Sequence, residues 1–285
     1  MFYYRAYHLN IQSDIPLGKI EQTSYCAPDV IIRKTSEIPD IPANASRLGN
    51  KYASLKNQLW ITDNQWSFYI EGGNTILYQI KSVELTTPIH ILLTGACFGC
   101  LLQQRNLIVL HANTVCYPGQ SAFAISGHTG AGKSTAAAFH IKQGALLAAD
   151  DITAIEFKQD IPHVLPGFPR LKLWNDSREA LHLLSLESLY SYNGRSKHHI
   201  DLKTNQHCST PVVLEKLVII KPDLTEESEL FGKEKIQCLL ANNYTALIFH
   251  LFDFHWDVFK NNLKLARQLK IYNAPRPTMV FYNEI

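Results

Sequence analysis

Short runs of alternating or continuous apolar residues dominate the first 90 residues. Tyr3–Ile11, Val30–Lys34, Leu59–Thr62, Gln65–Ile70 and Thr75–Lys81 each carry the pattern of a strand. Turn chemistry separates them, most plainly at Asp63-Asn64 and at Glu71-Gly72-Gly73-Asn74. Pro39, Pro42 and Asn44 mark an irregular connection. Residues 1–90 therefore predict a strand-rich N-terminal subdomain without a legible chemical motif. It could serve as a lid, a docking surface, a dimer interface or, most simply, a small β subdomain completing the core.

The pattern changes over residues 91–285. Ile89 to Gln103 is apolar at helical spacing but too short and interrupted to span a bilayer. Asn106–Leu110 and Asn113–Cys116 predict strands joined to the next by the turn Tyr117-Pro118-Gly119-Gln120. Ser121–Ser126 predicts a short buried strand and Ser134–Lys142 a helix closed by Gly144. Ala145–Ala149 reads as a strand ending on Asp150-Asp151. Ile152–Phe157 and His163–Leu165 read as a hairpin, and Leu171–Trp174 as a strand after the turn Pro166–Arg170. Asp176, with Glu179 three positions on, predicts a capped helix to about Ser191, followed by a polar loop over Tyr192–His199. Val212–Lys221 predicts another buried strand, and Glu234–Phe249 and Asp257–Leu269 two helices. Alternating strands and helices make this an α/β core.

Between Ser126 and the Ser134 helix lies Gly127-His128-Thr129-Gly130-Ala131-Gly132-Lys133-Ser134-Thr135, which fits G-x-x-x-x-G-K-[ST] at every fixed position. Its strand-before and helix-after context is what a phosphate cradle requires. Glycines let successive N–H groups turn inward toward an anion, and the helix adds its positive end. Lys133 can reach outer phosphates as a mobile charge, and the Ser134 hydroxyl can hold Mg2+.

Charge and cysteine usage narrow the function classes. The 27 basic and 25 acidic residues leave a formal charge of +2, which predicts no broad footprint on nucleic acid or membrane. The start, Met1-Phe2-Tyr3-Tyr4-Arg5, lacks a signal-peptide layout, so the expected home is cytoplasmic. Six cysteines include Cys97-Phe98-Gly99-Cys100. That lone C-x-x-C sits in an apolar stretch with no second pair at matching spacing, and buried thiols are the simpler reading.

A cradle alone binds nucleotide, whereas a kinase also needs a proton acceptor and metal. Asp150-Asp151 ends a strand one helix after the cradle, at the sheet edge where α/β ligands bind. One carboxylate could bind metal and the other act as base. His111 could sit near the pair and tune its protonation. Arg170, Lys172, Arg195, Lys197 and His198 could hold phosphate or an acidic substrate.

Leu110-His111-Ala112, then Gly127–Thr135, then Ala149-Asp150-Asp151 resemble, in order and spacing, the catalytic domain of HPr kinase/phosphorylase, whose P-loop core is similar in fold to PEP carboxykinase. Tyr4-Arg5-Ala6-Tyr7, Leu110–Val115 and Pro166–Trp174 are closer still to HPr-kinase-related proteins, some encoded in lasso-peptide clusters. The resemblance implies Mg-ATP as donor and serine phosphorylation of a peptide or small protein. It places the general base on Asp150, with Asp151 beside it for metal or orientation and His111 tuning the pair. Thr135 stands where HPr kinases carry Glu, and the glycine-rich signature that follows the pair there is not found. The resemblance thus carries the forward kinase reaction, not phosphorolysis, HPr as substrate or a hexamer, and a homo-oligomer stays an open expectation. Two alternatives stay open: a non-catalytic ATP-binding module in peptide processing, and a kinase of small-molecule hydroxyls.

Overall fold

The structure, a computed structural model, describes residues 1–82, 88–192, 195–200, 202–244 and 255–276. The chain forms two compact units: Met1–Val109 with Thr245–Lys260, and Leu110–Tyr244 with Asn261–Ile285. Both are built on extensive sheets, and the whole is a mixed α/β protein.

The first unit contains β1 (Phe2–Ala6), β2 (Leu9–Ser13), β3 (Val30–Lys34), β4 (Ser46–Leu48), β5 (Tyr52–Leu55), β6 (Gln58–Thr62), β7 (Trp66–Glu71) and β8 (Thr75–Ile80). They make one eight-stranded sheet in the order β1-β2-β3-β8-β7-β6-β5-β4. The run Tyr3–Ile11, expected as a single strand, is a hairpin. Tyr7 and His8 both take positive φ, 54° and 61°, the backbone of the two-residue turn whose twist suits paired strands. The irregular segment around Pro39 is tied down where the Trp60 indole N–H donates to the Pro39 carbonyl at 2.8 Å. After the sheet come α1 (Ile89–Leu92), a π turn over Leu93–Cys97 with Gly95 off helical dihedrals, and α2 (Phe98–Gln104), then β9 (Ile108–Leu110). Cys97 and Cys100 are buried in this helical stretch, and burial pushes the Cys100 thiol up to about 12, as expected of structural thiols.

The second unit contains β10 (Ala112–Cys116), β11 (Ala122–Ser126), α3 (Lys133–Lys142), β12 (Leu146–Ala149), β13 (Thr153–Lys158), β14 (Ile161–Leu165), β15 (Leu171–Trp174), α4 (Asn175–Ala180), β16 (Ser185–Tyr192), β17 (Arg195–Ile200), β18 (Val212–Ile220), β19 (Ser228–Glu229), α5 (Lys233–Ala241) and β20 (Lys270–Ala274). A further helix, α6 (His255–Gln268), runs across the division of the chain into units. The main sheet is ordered β12-β10-β11-β18-β14-β13, with β20 also on β18. β15, β17 and β16 form a separate three-stranded sheet. α3 is buried between the two. Ala136, Ala137, Ala138, Phe139 and Ile141 share a core cluster with Val115, Ile125 and Leu147 of one sheet and Leu171, Leu173 and Ile200 of the other. Three consecutive alanines give the narrow helix that such a double-sided contact needs.

Two expectations fail here. The helix from Asp176 to Ser191 stops at Ala180: His182 takes φ 53°, and Ser185–Tyr192 pairs antiparallel with β17 instead. No side chain caps the helix; Asn175 donates to Glu179 in place of the expected Asp176–Glu179 box. The loop over Tyr192–His199 is, from Arg195 onward, the strand β17. Sheet pairing has overridden local helix chemistry. The tail of the helix expected over Glu234–Phe249 lies outside the described residues beyond Tyr244.

Candidate active site

Strand direction assembles the site. β10 runs antiparallel to both β11 and β12, so β11 and β12 point the same way and finish at one edge, where β10 begins. The register Ala112↔Ser126 puts His111 beside the start of the glycine loop. The register Thr114↔Ala149 puts Asn113 beside Asp150. The loop, the acid pair and His111 therefore meet at the carboxyl edge of the sheet.

The loop needs its glycines. Gly127 has φ 143°, and a Cβ there would lie 2.7 Å from the Ile220 carbonyl oxygen. Gly132, at φ 109°, opens α3. His128, Thr129 and Gly130 are exposed, whereas Ala131 is fully buried. Lys133 is only 8% exposed and folds back on its own loop, its Nζ donating to the Gly127 carbonyl at 2.8 Å and more weakly to that of His128. Burial pulls the Lys133 ammonium down, with Asp151 offsetting part of the effect. The Thr135 hydroxyl bonds Ser177 of α4, while Ser134 lies within 3.5 Å of the Asn113 side-chain amide.

The two carboxylates are not equivalent. The Asp150 side chain is 2% exposed, and each of its oxygens accepts a hydrogen bond: Oδ1 from Asn113 Nδ2 at 2.6 Å, Oδ2 from the Lys172 backbone N–H at 3.1 Å. Burial raises its carboxyl above the ordinary range, with Lys172 opposing. Asp151 is 29% exposed and takes φ 73°. Its carboxylate lies 3.3 Å from the Lys172 ammonium and 3.5 Å from His111 Nδ1. Burial pushes it upward, but Lys172, His111, Lys197 and Lys133 together outweigh that and hold it well below the usual carboxylate range. The His111 ring lies tilted against that of Tyr244, and burial lowers its imidazole despite Asp151.

Of the basic residues singled out in the sequence, Lys172 stands between the two acids on β15 and is 5% exposed. Lys197, across the β15–β17 register from Trp174, lies over that indole ring and still acts electrostatically on both acids, His111 and Lys133. Arg170, buried against the Phe168 ring, acts on Asp150. His198 instead pairs with Ser185. The Arg195 side chain lies outside the described residues. Lys133, Lys172, Lys197 and Arg170 thus gather around two carboxylates, one held below the ordinary range and one raised above it by burial, an excess of positive charge suited to a polyanion.

No family model matches the chain, and no curated protein matches it in sequence. Among solved structures, it is similar to the HPr(Ser) kinase/phosphatase from Coxiella burnetii, at 9% identity and a TM-score of 0.30, over 62% of this chain and 94% of that one. A likeness this slight carries no weight for fold or chemistry.

One member of the constellation was not legible in the sequence. Asn113, 1% exposed, joins Asp150 to Ser134, and its Oδ1 has no hydrogen-bond partner among the described residues. Its only advance signal was position, two residues after His111 near the start of β10. Among the described residues no helix is long and apolar enough to cross a membrane.

Proposed function

We propose that the second unit is an ATP-dependent phosphotransferase acting on a hydroxyl, in the first instance a serine of a peptide or small protein. The observation that carries this reading is the surplus of cations beside a glycine-loop helix start, facing two carboxylates in unlike surroundings: Asp150 buried with both oxygens hydrogen-bonded, Asp151 partly exposed between Lys172 and His111. A nucleotide-binding module needs the loop and the cations. It has no use for a buried carboxylate whose proton affinity burial has raised, which is what a general base needs.

In this reading the backbone N–H groups of Gly127–Thr135 cradle the phosphates, and Lys133 leaves the Gly127 carbonyl to follow the transferring group. Asp150 takes the proton from the acceptor hydroxyl as the new O–P bond forms and the bond to the β-phosphate oxygen breaks, leaving ADP. The Asn113 side-chain amide covers Oδ1 and must turn aside for the acceptor hydroxyl to reach it, whereas the Lys172 N–H holding Oδ2 is backbone and keeps the carboxyl in place. Asp151 stays ionised, and neutral His111 beside it sets its orientation. Lys172 and Lys197, with Arg170 behind them, neutralise phosphate and acceptor charge.

The residues present fit Mg2+. The unpartnered Asn113 Oδ1 and the Ser134 hydroxyl offer hard oxygen ligands next to the acid pair, on its Asp150 side, with Asp151 the proposed carboxylate ligand. When bound, the ion neutralises charge on the phosphates.

The test uses Mg-ATP and a pool of serine-containing peptides, read by intact mass. A substrate peptide gains one phosphate with the wild type. Asp150→Asn is expected to cut transfer by about a thousandfold or more, with ATP affinity within a few-fold. Full transfer by Asp150→Asn would remove the base assignment. A wild type that binds ATP but transfers nothing to peptides or small alcohols would favour the non-catalytic module.

A further inference from the structure

Resting on the nucleotide reading above, we infer that Arg276 is a further contact to the phosphate chain of the bound nucleotide. β11, β18 and β20 are mutually parallel, with Ser126 opposite Ile219 and Ile220 opposite Ala274. The backbone therefore emerges from β20 at the same sheet edge as it emerges from β11 into the glycine loop. Two residues beyond Ala274, Arg276 reaches that loop. Its Nε lies 3.6 Å, and its Cγ 3.9 Å, from where a Cβ on Gly132 would stand. Gly132 is the residue that opens α3, so the guanidinium borders the first-turn N–H groups.

Chemistry and backbone both suit this role. Arg276 is exposed, and among the described residues no acidic side chain pairs with it. A cation that could have found a carboxylate in solvent instead stands beside a ring of N–H donors, where only an anion satisfies both. Its planar fork of donors matches phosphate oxygens in pairs, which a lysine does not. Pro275 fixes its own φ, and Pro277 restricts Arg276 to extended backbone, so the side chain springs from a stiff segment. Lys133 serves the cradle from within the loop and is occupied by loop carbonyls before a ligand arrives. Arg276 has no such engagement with the described residues and meets the phosphate chain first. The contact is made equally by substrate and product nucleotides, so it sets affinity rather than the rate of the chemical step.

Calorimetric titration of the full chain with Mg-ATP, Mg-ADP and Mg-pyrophosphate tests this, on wild type, Arg276→Ala, Arg276→Gln, Arg276→Lys and Lys133→Met. Arg276→Ala and Arg276→Gln are expected to weaken all three ligands by roughly 10- to 100-fold, with Arg276→Lys in between. The salt dependence of binding should become shallower, as one ionic contact is lost. Wild-type affinity in Arg276→Ala, with binding lost in Lys133→Met, overturns the Arg276 assignment and leaves the nucleotide reading standing. Weakened ATP and ADP with unchanged pyrophosphate moves the contact to the nucleoside and also overturns it. A wild type that binds none of the three sinks both readings. Because Arg276 is exposed, thermal unfolding of the variants should match that of the wild type, which separates lost affinity from lost fold.

Discussion

The two units differ in the polar groups they bury. In the first, the buried polar side chains are Ser13, Ser54, Ser67, Thr94, Gln103 and Gln104, all neutral. Gln104 is representative, since its Nε2 donates to the Ile70 carbonyl at 3.1 Å and its Oε1 accepts from the Gly73 N–H at 3.0 Å. In the second, Lys133, Arg170 and Lys172 are buried, together with the Asp150 side chain. Neutral groups with matched partners hold a structure together at little cost, whereas buried ions cost more than their pairing returns. Ions kept inside one unit, against neutral groups alone among the buried polar residues described for the other, mark where, on the proposed reading, stability is given up for chemistry.

The comparison breaks most sharply at Lys133. Lys133→Met is expected to reduce phosphoryl transfer by about a thousandfold or more, while its thermal midpoint stays at or above that of the wild type, since the desolvation penalty of the ammonium is gone. A midpoint several degrees lower would mean that this lysine is a structural group like Gln104.

Acid should act on the second unit before the first. His207 there has its imidazole lowered by burial to about 4, and its Nε2 has no partner among the described residues, so a proton placed on it finds no acceptor. The unfolded chain takes up that proton near the ordinary value of about 6.5. Between those two values the unfolded state binds more protons, so stability falls as pH drops from about 6.5 to 4 and levels off below. The full window corresponds to about 3 kcal/mol. Denaturant unfolding of His207→Gln across that range should show a flatter acid limb. Hydrogen exchange in the wild type should lose protection in β10–β12 while the first unit's sheet keeps it. A uniform loss across both sheets would contradict the contrast.

The smallest effect concerns Gln104. Gln104→Ala leaves the Gly73 N–H without its acceptor and takes a second donor from the Ile70 carbonyl, which stays in the β7 ladder, and is expected to cost about 1–2 kcal/mol in chemical denaturation. Nucleotide affinity should not change. A variant that lost affinity as well would show that the neutral network of the first unit also serves the site.

Much of the site could be read before the fold was known because its parts are local in sequence. Gly127–Thr135 is consecutive, and Asp150-Asp151 closes a strand whose direction follows from one intervening helix. Lys172, Lys197 and Arg170 were legible only as basic residues among others, because their nearness to the acids depends on the sheet β15-β17-β16. That sheet was hidden. Asp176 and Glu179 carry helix-start chemistry, and nothing local says that Ser185–Tyr192 will find β17. Asn113 and Arg276 were invisible for a related reason: a strand asparagine and a proline-flanked arginine acquire meaning only from register. In the first unit, Val30–Lys34 was legible to the residue, but β4 and β5 were not, since Ser46–Leu48 is exposed throughout and carries no alternation.

The left-handed backbone at Asp151 has a practical consequence. Asparagine tolerates φ 73° about as well as aspartate, whereas alanine or a β-branched residue does not. Exchange to asparagine at this position therefore deletes a charge and leaves the chain's path alone, and exchange to alanine or valine changes both. Only the first can say what the carboxylate itself contributes.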